Sequence, residues 1–453
     1  MKQGRSEELG TRPIRSLLVQ QAVPASIGIL ILSVYGIVDT IFVGRWVGSM
    51  GIAAITVVMP ITFLIASIGM SIGVGGASII SRALGGGQRQ RALLAFGNQV
   101  SLTLLLAVSV VLLGSFFQEE ILMLFGGKGD IMPPARIYFR ILLLGVPFLA
   151  WAMMSNNVIR AEGKPRVAMY TLVTPAVANI VLDPIFIVGF DMGIAGAAWA
   201  TTLSYMASAT YALLHFLGKK AEMKLLLPNF RLQWPIVREI FAIGGVTLAR
   251  QGTISILAIV LNNTLFRYGG ELSVSVYGII NRVMMFANFP VLGITQGFVP
   301  IAGYNYGAEK WDRVRKTLKT AITAGTGLAF IIFAGIMLFT TSLVAIFTRE
   351  PGLLTQTPPS LRIAFLATPL LAVQLISSAY FQAVGKAWPA LFLALTKQGF
   401  CLIPLLLILP LSFGLDGIWW AFPIADTLSA LICFSYLRYE LNKNLPALSK
   451  EQA

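Results

Sequence analysis

Long apolar stretches follow one another along the whole chain, and only short polar interruptions separate them. A helix that crosses the hydrocarbon core of a bilayer needs ~20 mostly apolar residues. Twelve stretches meet that length: 17–43, 51–80, 92–115, 136–157, 166–189, 193–217, 239–265, 271–302, 315–340, 358–383, 388–411 and 416–438. Glycine and proline occur inside many of them, which membrane helices tolerate because neighbouring helices re-satisfy the freed backbone groups. The pattern predicts an all-α polytopic membrane protein with twelve transmembrane helices.

Composition narrows the classes. Of the 453 residues 56% are hydrophobic and 12% are charged, about half the ~25% of a soluble domain. So few charges cannot wet the surface of two or three soluble domains, and a disordered chain would be poor in apolar residues. The net charge of +15 comes from 34 Lys and Arg against 19 Asp and Glu. Taking the termini and the loops after even-numbered spans as one side, that side holds 24 of the basic residues and the other holds seven. The remaining three, Arg250, Arg282 and Lys397, fall inside spans. Positive loops stay in the cytoplasm, so both termini are expected there and no nucleic-acid partner is needed to explain the charge. Cys401 and Cys433 lie in apolar stretches and read as free thiols. With His215 the single histidine, no zinc site is expected. The first apolar run is too long for the core of a cleavable signal peptide.

The chain also repeats itself at an offset of 222 residues. RILLLGVPFLAWAMMSNNVIRAEGK at 140–164 aligns with RIAFLATPLLAVQLISSAYFQAVGK at 362–386, and Gly75 aligns with Gly297. Each copy holds six spans, and an even number returns the chain to its starting side. The halves are therefore parallel repeats about a pseudo-two-fold axis along the membrane normal, as in many secondary transporters. The expected organisation is an N-lobe over 1–217, a cytoplasmic linker over 218–238 and a C-lobe over 239–453.

The repeat isolates what only one half carries. Asp39 aligns with Leu261, Asp183 with Leu405 and Asn179 with Cys401. An ionised side chain within a span costs at least ~2.5–3.5 kcal/mol and marks a functional site by default. Asp39, Asn179, Asp183 and either Thr201 or Thr202 are all expected in the outer halves of their spans. Asn179 and Asp183, four apart, share a helix face. Two carboxylates, an amide and a hydroxyl offer hard oxygen ligands for Na⁺, and equally a shared site for a proton. Pro24 and Pro184 each remove a backbone hydrogen bond and are candidate kinks or hinges. Tyr35, one turn before Asp39, could face a flat organic cation. In the other half Arg250, Gln251, Arg282 and Asp426 interrupt the spans. They read either as a buried Arg–Asp pair or as direct substrate contacts. No GKS or GKT follows the glycines around 73–76, so there is no phosphate loop. No Ser/His/Asp set is present either, so neither an enzyme nor a cofactor is expected.

These residues resemble the multidrug and toxic compound extrusion (MATE) transporters. The matching segments are VPASIGILILSVYGIVDTIFVGRWVG (23–48), RAEGKPRVAMYTLVTPAVANIVLDPIFI (160–187) and GIAGAAWATTLS (193–204). In the second half they are GIINRVMMFANFPVLGITQGFVPIAGYNYGA (278–308) and IWWAFPIADTLSA (418–430). The resemblance implies export of cationic and amphipathic small molecules in exchange for H⁺ or Na⁺ by a monomer, multi-pass in the lipids of a prokaryotic inner membrane. It places the coupling cation at Asp39, Asn179, Asp183 and Thr201, and a family asparagine at Asn156 or Asn157 as a substrate contact. One branch carries acids in spans 7 and 10. Here those spans hold Arg250, Gln251 and Gln374, so the sequence is closer to the DinF-like or MepA-like branch. A lipid-linked precursor flippase of related architecture is the alternative reading.

Overall fold

In the computed structural model, which describes residues 5–444, the chain is helical and the described residues contain no strand. The helices are α1 Ile14–Phe42, α2 Ser49–Gly85, α3 Arg89–Phe116, α4 Gln118–Leu124, α5 Met132–Ala161, α6 Pro165–Asp183 and α7 Gly193–Leu217. They continue with α8 Trp234–Gly307, α9 Trp311–Phe347, α10 Pro351–Ala364, α11 Leu371–Ala383, α12 Ala387–Leu395 and α13 Ile403–Asn444.

Eight helical stretches are long and apolar enough to cross a membrane, nine when α10 and α11 count as one span bent by 41°. Two of these stretches are too long to be single crossings. At ~1.5 Å rise per residue, the 74 residues of α8 would reach about 110 Å, far beyond a ~30 Å core. Gly270, at φ +66°, breaks α8 into two crossings, and Gly414, at φ +56°, does the same in Ala387–Lys443. Both positions need a left-handed backbone that glycine adopts freely. The twelfth crossing is α7, whose alanines, serines and threonines lower its hydropathy and suit close helix packing. Gly196 of α7 shows this closeness, since a Cβ there would lie 2.8 Å from the Phe186 backbone. The twelve predicted crossings are therefore present among the described residues.

Two compact units divide the chain, and the division exchanges two helix segments. The first unit holds Ile27–Thr247 with the described residues before Gly10; the second holds the described residues from Leu248 together with Gly10–Ser26. The first part of α1 thus belongs with the second half, and the first part of α8 with the first half. The switch points, after Ser26 and after Thr247, are one repeat apart to within a residue. The repeated glycines carry this packing. A Cβ on Gly75 of α2 would lie 2.2 Å from Ile240 O, and one on Gly297 of α8 would lie 2.8 Å from Ala22 N.

Polar contacts fasten both exchanged segments. In the first unit Glu239 of α8 bridges Arg82 (2.7 Å) and Arg91 (3.1 Å). In the second, Lys310 Nζ donates to Gly10 O (3.0 Å) and Arg313 Nη2 to Arg12 O (2.7 Å). The segment between α7 and α8 is pinned to the first unit by Glu162, which is fully buried. Its carboxylate accepts from Lys164 Nζ (2.8 Å) and Met223 N (2.7 Å), and His215 Nε2 lies 3.0 Å away. Burial pushes this carboxyl up, but the His215 and Lys164 contacts outweigh it and hold it below the usual carboxylate range.

Candidate ion-coupling site

Four helices of the first unit bring the half-specific residues together. Tyr35 and Asp39 sit one turn apart on α1, Asn179 and Asp183 one turn apart on α6, and Thr201 and Tyr205 one turn apart on α7. This i, i+4 spacing places each pair on one helix face. Tyr138 of α5 completes the group.

The geometry is a continuous polar cluster in an otherwise apolar bundle. Asn179 Nδ2 donates to Asp183 Oδ1 (3.3 Å) and to Thr201 Oγ1 (3.4 Å). The Asp39 and Asp183 carboxyls are near enough to interact electrostatically. Tyr35, Tyr138 and Tyr205 lie close enough to Asp39 to feel its charge. Asn179 and Asp183 are wholly buried, and Asp39 is 9% exposed. Yet Asp39 Oδ1, Asn179 Oδ1 and Asp183 Oδ2 have no hydrogen-bond partner. All three are acceptors, and burying such oxygens without a donor or cation is costly. The arrangement is built for positive charge. Its carboxylate, amide and hydroxyl oxygens suit a proton or a hard monovalent cation rather than a soft metal.

The local fold changes character beside both acids. α1 runs through Pro24 without interruption and becomes π-helical at Val43–Val47, four residues past Asp39. α6 ends at Asp183 and becomes π-helical at Pro184–Gly189. Pro184 has no N–H to continue the α ladder, and π turns inside helices gather at functional sites. Between the two turns lies an apolar pocket of about 530 Å³ lined by Phe42, Trp46, Pro184 and Phe190 among others. Phe42 and Trp46 stack at 5.0 Å.

The open choices between neighbours separate clearly in space. Thr201 joins the cluster, whereas Thr202 donates to Ile141 O at 3.2 Å. Asn156 and Asn157 lie at the other end of α5, 18 and 19 residues past Tyr138, or about 27 Å along the helix. Asn156 donates to Ala168 O (2.6 Å) and Thr171 Oγ1 (2.8 Å) and accepts from Arg160 (3.1 Å). Asn157 donates to Met153 O. Neither reaches the acid cluster.

In the second unit an Arg–Asp pair does not form. Asp426 pairs with Lys397 (2.5 Å), while Arg250 is half-buried and Gln251 and Arg282 are exposed. Gln374 Nε2 donates to Asp426 O (2.9 Å) and also to Ser429 Oγ. Sequence reasoning missed Tyr138 and Tyr205, although a signal existed. At the repeat offset Tyr35, Tyr138 and Tyr205 face Leu257, Ser360 and Thr427, so the three phenol rings belong to the first half alone.

The family model described as MatE matches two stretches of the chain, residues 24–185 and 249–408, one in each half. The chain belongs to the MatE family. Among MatE proteins it is similar to the multidrug export protein MepA of Staphylococcus saprophyticus, 30% identical over 414 residues and 90% of each chain. It is 28% identical to MepA of Staphylococcus aureus over 92% of each. Among solved structures it matches an outward-facing MATE family multidrug resistance transporter at 25% identity and TM-score 0.91, covering 98% of this chain and 99% of that one. A MATE structure in the bent conformation matches at TM-score 0.92 and 25% identity over 98% of both chains.

Proposed function

We propose that this MatE protein is a secondary active multidrug exporter that releases cationic and amphipathic small molecules in exchange for protons by alternating access. The observation that carries the reading is the set of three unpartnered buried oxygens on Asp39, Asn179 and Asp183. The whole-length similarity to MepA export proteins supports efflux over lipid-precursor flipping. Asp39 and Asp183 hold the coupling cation, Asn179 and Thr201 orient them, and Tyr35 stands beside the acids toward substrate. The electrostatic coupling of the two buried carboxyls supports a proton over Na⁺, because one proton relieves the repulsion between them when both are ionised. With the proton bound the pair is less negative and its attraction for an organic cation falls; without it the attraction returns. Pro24 and Pro184 are the points at which α1 and α6 flex between states. The protein sits as a monomer in a prokaryotic inner membrane with both termini in the cytoplasm, an orientation that the bias of its basic loops supports.

Purified protein in proteoliposomes tests this with a pH gradient and a Na⁺ gradient imposed separately. A pH gradient alone should drive dye export. Export driven by Na⁺ alone overturns the proton reading, and no export under either gradient overturns efflux.

A further inference from the structure

The second unit carries a charged pair that ion coupling leaves unused. Lys397 Nζ and Asp426 Oδ1 lie 2.5 Å apart, with side chains 23% and 9% exposed. At the repeat offset they face Pro175 and Ser204, and Gln374 faces Ala152. This cluster is as particular to its half as the acid pair is to the other. Lys397 is the second residue of a π-helical stretch, Thr396–Leu402. Among the described residues three stretches are π-helical, and the other two adjoin Asp39 and Asp183. All three therefore adjoin an intramembrane charge that only one half possesses. Gln374 anchors the backbone beneath Asp426 and Ser429 beside it, while the Asp426 carboxylate itself meets Lys397. An ion pair inside a bundle is weak evidence for stability, since apolar residues of like volume hold helices at least as well.

We propose that Lys397 and Asp426 form a substrate-docking site selective for zwitterions, molecules bearing an ammonium and a carboxylate a few ångströms apart. This rests on the efflux reading above. Charge balance supplies the argument. A ligand with only a positive charge can bind Asp426 only by displacing Lys397 and leaving a partly buried ammonium unpaired. A ligand with only a negative charge does the reverse to Asp426. A zwitterion opens the pair and re-pairs both ends, so neither charge is stranded. The partial exposure of Lys397 gives the ligand its point of entry, and the π turn lets this side chain swing away without unwinding the helix.

The test uses a matched pair of probes in proteoliposomes: an aryl-substituted γ-amino acid, zwitterionic near pH 7 with its ammonium and carboxylate a few ångströms apart, and its ethyl ester, which keeps only the cation. Purified wild-type protein should bind the zwitterion roughly tenfold or more tightly than the ester, by equilibrium dialysis. The Lys397→Gln variant should lose that preference by raising the KM of the zwitterion and leaving that of the ester unchanged or lower. Equal wild-type binding of the two probes overturns the proposal without any variant having to fold. So does a Lys397→Gln variant that weakens both probes alike. Export of both probes without discrimination removes this site alone, whereas export of neither removes the efflux reading itself.

Discussion

The two halves share an ancestry of sequence and handle intramembrane charge in opposite ways. In the first, Asp39 and Asp183 interact electrostatically, and each keeps a buried oxygen unpartnered. In the second, Asp426 has its cation built in, 2.5 Å away on Lys397. On the proposed coupling role the first borrows positive charge from outside and gives it back; the second is neutral as it stands. The repeated scaffold thus carries two buried acids with unpartnered oxygens in one half and an acid paired with a lysine in the other.

The sharpest way to break the comparison is to neutralise one acid in each half. Asp39→Asn or Asp183→Asn should bring gradient-driven export down to the rate of empty vesicles while the protein elutes as a folded species. Wild-type export in either variant would remove the coupling role. Stability should separate the halves in the other direction. Asp39→Asn removes a repulsive carboxylate and should leave the melting temperature unchanged or raised. Asp426→Asn strands Lys397 and should destabilise the protein, toward the low end of the roughly 3–5 kcal/mol for breaking a buried pair, because that lysine is 23% exposed. Equal effects on melting would mean that both acids are structural.

A smaller effect concerns Glu162, which is charged and fully paired outside the spans. Glu162→Gln should cost about 1–3 kcal/mol at neutral pH. Because the folded protein holds this carboxyl below its ordinary range, its contribution is complete above the unfolded pKa of ~4.3 and is lost as pH falls through the lower folded value. The stability gap between variant and wild type should therefore close in acid; a gap independent of pH would assign Glu162 a packing role. The smallest change is Tyr138→Phe, which removes one hydroxyl from the surroundings of Asp39. It should cost about 0.5–1.5 kcal/mol, read as a few-fold shift in the proton concentration for half-maximal export, with no change in expression.

Much of this architecture was legible from residue order. Twelve apolar runs, one repeat and two acids facing leucines led to the crossings and to the core of the candidate site. Hydrophobic pattern reports burial but not which helix a side chain meets, so Thr201 and Thr202 separated only when Thr202 was found on the Ile141 carbonyl. The same limit hid Lys397 as the partner of Asp426, because a lysine on one span and an acid on the next give no periodic signal. Tyr138 and Tyr205 were hidden differently. Tyrosine is ordinary in a membrane helix, and only subtraction of one half from the other marks these as unusual.

The exchange of helix segments also bears on how the chain is made. Gly10–Ser26 leaves the ribosome early, yet its packing partner Gly297 is synthesised some 270 residues later. The first unit in turn is incomplete until Thr247 has emerged. A cut in the segment between α7 and α8 would thus yield two fragments that each lack a piece held by the other. They should recover a native fold when co-expressed and fail when made singly.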